Sequence, residues 1–163
     1  MKIDKGMVSI LFAVLLGIFV VNGISQLNNN SGPDEMDTTA YLEGAYDIKV
    51  SGGISSFVAN CINGHYRESV RNPLYLLMLS TFVDRDIATF VKAKFMTFMI
   101  GIVVLVSFYY ICAWSFNPFV ALLSLALLSW NSSFLDLTTR VTCESLVMVL
   151  FLWCWHFTLK GED

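Results

Sequence analysis

From Gly6 to Pro33 the chain carries no charged residue. Within that stretch Met7 to Ile24 is apolar. As a helix it is long enough to cross a hydrocarbon core of about 30 Å. Lys2 and Lys5 precede it, and basic residues at a span's end favour the cytoplasmic side. A signal peptide shares this pattern of basic start, apolar centre and small residues such as Gly23 and Ser25. The centre is long for a signal peptide, and much of the remaining chain is equally apolar. The stretch is therefore assigned as an uncleaved first span.

Composition extends that reading to the whole chain. Of its 163 residues, 56% are hydrophobic and 14% charged. Soluble domains carry about 25% charged residues. The net charge of -3 leaves no basic footprint for nucleic acid. Cys61, Cys112, Cys143 and Cys154 have neither CxxC nor Cys/His ligand spacing. Cys112 and Cys154 read as small hydrophobes. Cys61 and Cys143 both fall on the outer side and are expected as unpaired thiols, with a bridge between them as the alternative.

The expected fold is an all-α integral membrane protein with about four transmembrane helices and two interfacial amphipathic helices in a long first outer loop. Span 1 covers 7–24 and the outer loop 25–94, with interfacial helices near 34–50 and 73–83. Span 2 covers 95–116 and span 3 covers 117–131. A second outer loop over 132–143 leads to span 4 over 144–159. Asn117–Pro118 separates spans 2 and 3, because proline cannot continue a helix. Counting "NPLYLLMLSTF" as a fifth span puts Arg85, Lys92 and Lys94 inside, as the positive-inside rule prefers. It also puts Glu144 opposite the first loop. Composition leaves both topologies open.

Three constellations could carry chemistry. The first is "PDEMDTTAY". Ser31 and Pro33 open a helix, and Asp34, Glu35 and Asp37 oppose the positive end of its dipole. Met36, Ala40, Gly44 and Ile48 recur every four residues, a face fit for a membrane surface. Asp37 and Tyr41 are i, i+4 neighbours. An interfacial carboxylate can serve as a general base or hold a cation that bridges phosphates. The plain alternative is a capped helix with a solvated acidic start. The second constellation is "HYRESVRNPLY". Arg67 and Arg71 lie four apart and can meet an anion, or simply anchor to lipid phosphates. His65 reads as a loop residue and His156, in "WCWHFT", as an interfacial one. The third is Glu144 in "TTRVTCESLVMVL". An ionisable residue at a membrane boundary is a functional candidate. Its alternative is an i, i+4 pair with Arg140. The aromatic runs "FYYICAW" and "FLWCW" read as belt or packing residues.

The order of these pieces resembles the N-terminal part of the membrane-embedded GT-C glycosyltransferases, in the group of protein O-mannosyltransferases and bacterial lipid A aminoarabinose transferases. The resemblance covers nearly the whole chain. It rests on the acidic helix "PDEMDTTAY", on "RNPLYLLMLSTF" and on "TTRVTCESLVMVL". It implies a catalytic aspartate in the first outer loop. Asp37 matches by its spacing before Tyr41, Asp34 by its "PDE" context beside Glu35. It implies a second acidic position at Glu144, and a polyprenyl-phosphate-linked sugar as donor. The donor's phosphate would be held by Arg67, Arg71 or Lys92, with Tyr41 nearby. No cofactor is assigned, and a divalent metal is compatible with the acidic run. The resemblance also favours four spans over five. Relatives in that group run to several hundred residues, so it implies a piece or half of a larger enzyme, completed by a second membrane chain. The expected location is the plasma or cytoplasmic membrane, or the endoplasmic reticulum in a eukaryote, with the first loop outside. A rival expectation is a small non-enzymatic membrane subunit, or an inactive remnant, that binds a partner or lipid through its outer loop.

Overall fold

In the computed structural model, which describes residues 5–29, 36–65, 71–86 and 88–161, every regular element is an α-helix. In chain order these are α1 (Lys5–Asn29), α2 (Met36–Val50), α3 (Gly53–Ile62), α4 (Pro73–Ser80), α5 (Ala88–Ser115), α6 (Pro118–Ser129), α7 (Ser132–Thr139) and α8 (Glu144–Lys160). Asparagine sets three of the starts. Asn72 Oδ1 accepts from the amides of Leu74 and Tyr75 at 3.1 and 3.3 Å. Asn117 Oδ1 does the same for Phe119 and Val120, both at 3.0 Å. Asn131 Oδ1 accepts from Phe134 N at 2.8 Å. Each bond satisfies an amide that the first helical turn leaves unpaired. Pro73 and Pro118 follow two of these caps, where a missing N–H costs nothing.

Two helices, α1 and α5, are long and apolar enough to cross a membrane. At 1.5 Å per residue they rise about 37 and 42 Å, more than the hydrocarbon thickness. The α6–α7 pair is bent by 68° and makes a third if it is one broken span. These helices mark the chain as membrane-associated. Helix α4, with 8 residues, rises only about 12 Å, well short of the hydrocarbon thickness.

Ring contacts fix the helix directions. Phe12 meets Tyr109 at 4.6 Å between centroids, and Phe19 stacks on Phe98 at 5.5 Å. So α1 and α5 run antiparallel. Gly23 lets the α1 backbone approach the Phe98 ring, the small-residue packing common between helices in lipid. At the far half of α5, Trp153 Nε1 of α8 donates to Ser107 Oγ at 3.1 Å. His156 lies edge-on to Tyr110 and Trp114, at 5.8 and 4.7 Å. Thus α8 runs parallel to α5, and its head returns to the end where α1 finishes and α5 begins. One core cluster fills the space among α1, α5, α6 and α7 around Phe19, Phe98, Leu105, Leu125 and Phe134. A second lies under α2–α4, around Leu42, Ala45, Tyr75, Leu76, Leu79 and Val141.

Several expectations shift. The buried face of α2 is Thr38, Leu42, Ala45 and Ile48. It packs on α4 and takes Ile48 from the every-fourth-residue row read from the sequence and Ala45 from the parallel row of Asp37, Tyr41 and Ala45. A strict spacing of four drifts about 40° per step around a 3.6-residue helix, so the real face mixes steps of four and three. The chain also does not become irregular after Ser51–Gly53. Gly52 and Gly53 take left-handed φ of 107° and 69°, which suits glycine. They turn the chain directly into α3. The polar stretch 132–143 holds α7, with Phe134, Thr138 and Thr139 buried. His156 is buried at 2% exposure, because it and Trp153 meet Tyr110 and Trp114 of α5. All four cysteines are free thiols.

Candidate functional site

Where the head of α8 meets α2 and α4, three elements far apart in sequence come together. The Tyr41 hydroxyl of α2 donates to Cys143 Sγ, 3.2 Å away and just ahead of Glu144. The Tyr41 ring stands edge-on to Tyr75 of α4, with centroids 5.3 Å apart. Tyr75 OH lies 2.6 Å from Thr97 Oγ1 of α5. The Thr97 hydroxyl proton is directed to the Ala93 carbonyl at 3.1 Å, so Tyr75 is the donor in that pair.

The electrostatics follow from this packing. Burial pushes the Tyr41 phenol well above its ordinary value, helped by the bond to Cys143 and by the nearby charge of Glu144. Burial does the same to Tyr75, against the opposing bond to Thr97. Both phenols therefore stay protonated at neutral pH, as hydrogen-bond donors and not as bases. Cys143 gives α8 no side-chain cap, and Glu144 stands in the first turn, where a carboxylate complements the helix dipole. Thr142 Oγ1 and Ser145 Oγ flank this turn, buried and without a hydrogen-bond partner among the described residues. The corner thus combines an exposed carboxylate, two protonated phenols and unsatisfied hydroxyls. Glu144 is exposed and Tyr41 partly so, and these two can orient a polar ligand, while Tyr75 and the two hydroxyls lie inside the packing.

The other anticipated site residues are spread more widely. Asp34, Glu35 and Arg67 lie outside the described residues. Asp37 belongs to α2, four positions before Tyr41; the structure describes its backbone only. Arg71 is half-buried just before the Asn72 cap of α4. Lys92 is exposed on α5, close enough to Asp84 for its charge to help lower that carboxyl's pKa. It is therefore on the side of Asp84. Arg140 turns back to Asp136 of α7 at 2.7 Å, since α7 ends before α8 begins and the two residues flanking this break share no helix. Among the described residues no group of three or more His, Cys, Asp or Glu side chains could hold a metal ion.

Sequence reading passed over Tyr75, Thr97 and Lys94. Lys94 is 1% exposed on α5, in register with Phe98 and Gly101 on the side that meets α1 and α7. Its signal was present, because "FVKAKF" places it four residues before Phe98. Starting the span at Phe95 hid that it sits inside the helix.

Beside this corner, α2 and the α4–α5 connection enclose an open cleft of about 520 Å³. Glu43 and Asp47 line one side; Asp84, Arg85 and Asp86 line the other. Arg85 stacks on the Tyr46 ring at 4.7 Å. Lys49 bonds two groups of the lining residues, Asp84 Oδ1 and the Val83 carbonyl, both at 2.7 Å. That lysine holds the Asp84 carboxyl below the ordinary carboxylate value of 3.8. A depressed pKa contributes stability above the unfolded value and loses it as pH falls through the folded one. The Lys49–Asp84 link is therefore expected to persist through neutral pH and to release only below the ordinary carboxylate range. In a carboxyl NMR titration, Lys49→Gln should move the Asp84 midpoint upward. An unchanged midpoint would show that the pair does not form.

No family model, curated protein or solved structure matches the chain.

Proposed function

We propose that the chain is the membrane module of a GT-C type glycosyltransferase. In this reading α1, α5, the bent α6–α7 pair and α8 cross the membrane, giving four spans with α2–α4 on the outer face. The corner around Tyr41 and Glu144 serves transfer of a sugar from a polyprenyl-phosphate donor to an acceptor. The observation that supports it is the Tyr41–Cys143 contact at 3.2 Å. It brings the acidic helix of the first loop to the acidic residue that opens the last long helix. Those are the two acidic positions of the motif resemblance.

The chemistry asked of the corner is modest. The acceptor's hydroxyl proton passes to a carboxylate, Asp37 or Asp34, while the bond between the sugar's anomeric carbon and the donor phosphate breaks. The new glycosidic bond forms at that carbon, and the lipid phosphate leaves. Positioning supplies most of the rate, with proton transfer adding to it. Arg71, at the entry to α4, together with Arg67, would hold the phosphate. Glu144 and Tyr41 would orient the polar groups of the ligands.

The test compares membranes from cells that carry or lack this chain, incubated with labelled polyprenyl-phosphate sugar. Any partner chain is then present in both. Label transfer that depends on the chain supports the reading, and equal transfer in both membranes overturns it. A second reading, a non-enzymatic membrane subunit that binds a partner through its outer layer, is favoured by the acidic cleft. It predicts the equal-transfer outcome.

A further inference from the structure

Helix α3 is amphipathic beyond what the core uses. Projected at 3.6 residues per turn, Phe57, Cys61, Ile54, Val58 and Ile62 of "GISSFVANCI" fall on one arc, and Ser55, Ser56, Ala59 and Asn60 on the other. A globular helix buries such an arc against its neighbours. Here only Phe57 enters the core, at 8% exposure. Ile54, Val58 and Ile62 remain 50%, 42% and 79% exposed, and Cys61 is exposed beside them. Val50, at the end of α2, adds a further 60% exposed apolar residue.

A tie between α2 and α5 argues for what covers this arc. Lys49, four residues before α3, is bonded to the Val83 carbonyl and to Asp84. Asp84 in turn exchanges hydrogen bonds with Thr89 in the first turn of α5. The end of α2 that leads into α3 is thereby tied to the start of α5, one of the two helices fit to cross a membrane. On α5 itself the exposed apolar side chains start at once, with Val91 at 47% and Phe95 at 51%. Exposed apolar side chains are thus found both on α3 and on the first turns of α5, on either side of this tie.

We infer that α3 is a membrane-surface anchor, with Ile54, Val58, Cys61 and Ile62 bedded in the acyl region of the leaflet nearest the α2–α4 layer. An amphipathic helix lying in the interface gains from burying its apolar face among acyl chains. The uncharged polar arc of α3 stays toward the headgroups. The anchor would hold the α2–α4 layer, and with it the corner at Tyr41, at a fixed depth. This inference rests on the membrane association of the chain and stands whether or not the chain transfers sugar.

The test places an environment-sensitive fluorophore at single cysteines, Val58→Cys or Ser55→Cys, in a chain whose four cysteines are replaced by Ala, reconstituted in nanodiscs. At position 58 the emission should be blue-shifted and quenched several-fold more by lipids carrying a nitroxide on the acyl chain than at position 55. The pattern should reverse with aqueous iodide. The native Cys61, labelled in a chain changed only at Cys143→Ala and Cys154→Ala so that buried Cys112 is the one other thiol, should behave like position 58, which makes the result independent of the cysteine-free background. Equal iodide quenching at 55, 58 and 61 would overturn the inference. So would a blue shift at 58 without lipid quenching, since a second copy or another protein would then cover the arc.

Discussion

Replacing Asp37 with asparagine is expected to lower sugar transfer by about 10²–10⁴-fold, the usual contribution of a positioned general base. Asparagine keeps the size and polarity of the side chain and removes its capacity to take a proton. The neighbouring phenols cannot take over that role. Burial holds the Tyr41 and Tyr75 phenols protonated at neutral pH. Asp37 lies one helical turn before Tyr41 on α2, so its backbone is in register with the residue that reaches the head of α8. Glu144→Gln is expected to fall in the same direction by a smaller factor, because its place at the first turn of α8 suits a positioning role. Initial-rate assays on membranes carrying each variant give the comparison. Full transfer by Asp37→Asn together with loss in Asp34→Asn would move the base to Asp34. Full transfer by both variants and by the double variant would contradict the proposed chemistry.

The second large effect is on folding. A Cβ added at Gly101 would stand 2.5 Å from Thr138 Cγ2 and 2.7 Å from Thr138 Cβ. Thr138 is fully buried, and its hydroxyl is tied to the Leu135 carbonyl at 2.9 Å. It has no room to turn away, and rotation would break that bond. Gly101→Ala must therefore push α5 and α7 apart. Overpacking of this kind costs about 1–3 kcal/mol, against a helix-propensity gain of roughly 1 kcal/mol for alanine over glycine. The net effect is expected to be destabilising, and Gly101→Val, with two further methyl groups, more so. Gly17 is the control, since a Cβ there meets nothing within 4 Å. Thermal unfolding in detergent should show a lower midpoint for Gly101→Ala and an unchanged or higher one for Gly17→Ala. Equal midpoints would mean that α5 and α7 are not in close contact.

How much of the fold is legible in the sequence depends on range. The apolar runs that form α1 and α5 announce themselves, because a membrane-crossing helix must be apolar over nearly its whole length. The Asn–Pro pairs at 72–73 and 117–118 mark helix starts by purely local chemistry. Helices α3 and α7 are harder. "GISSFVANCI" and "SSFLDLTT" mix apolar residues with serine and threonine, which favour turns as readily as helix interiors. Packing of Phe57 and Phe134 into the two core clusters decides for helix. The site divides in the same way. Glu144 can be singled out from its place at the start of an apolar run. Its nearness to Tyr41 cannot, because Tyr41 and Cys143 are 102 positions apart and only the parallel course of α5 and α8 brings them together. Tyr75 and Thr97 carry no sequence signal, since each is one of several hydroxyls in a largely apolar helix.

Everything proposed for the corner requires that α2 and the head of α8 touch. A cysteine cross-link measures this directly. Tyr41→Cys is introduced into a chain that keeps Cys143 and has Cys61, Cys112 and Cys154 replaced by Ala. A short bismaleimide, about as long as the tyrosine side chain it replaces, is then added to the protein in nanodiscs. The expected result is an efficient intramolecular link between positions 41 and 143, found by mass spectrometry after proteolysis, with little linkage from a control cysteine at Ser55. If both thiols react singly with maleimide and the 41–143 link still fails to form, α2 and α8 do not meet and the proposed site does not exist.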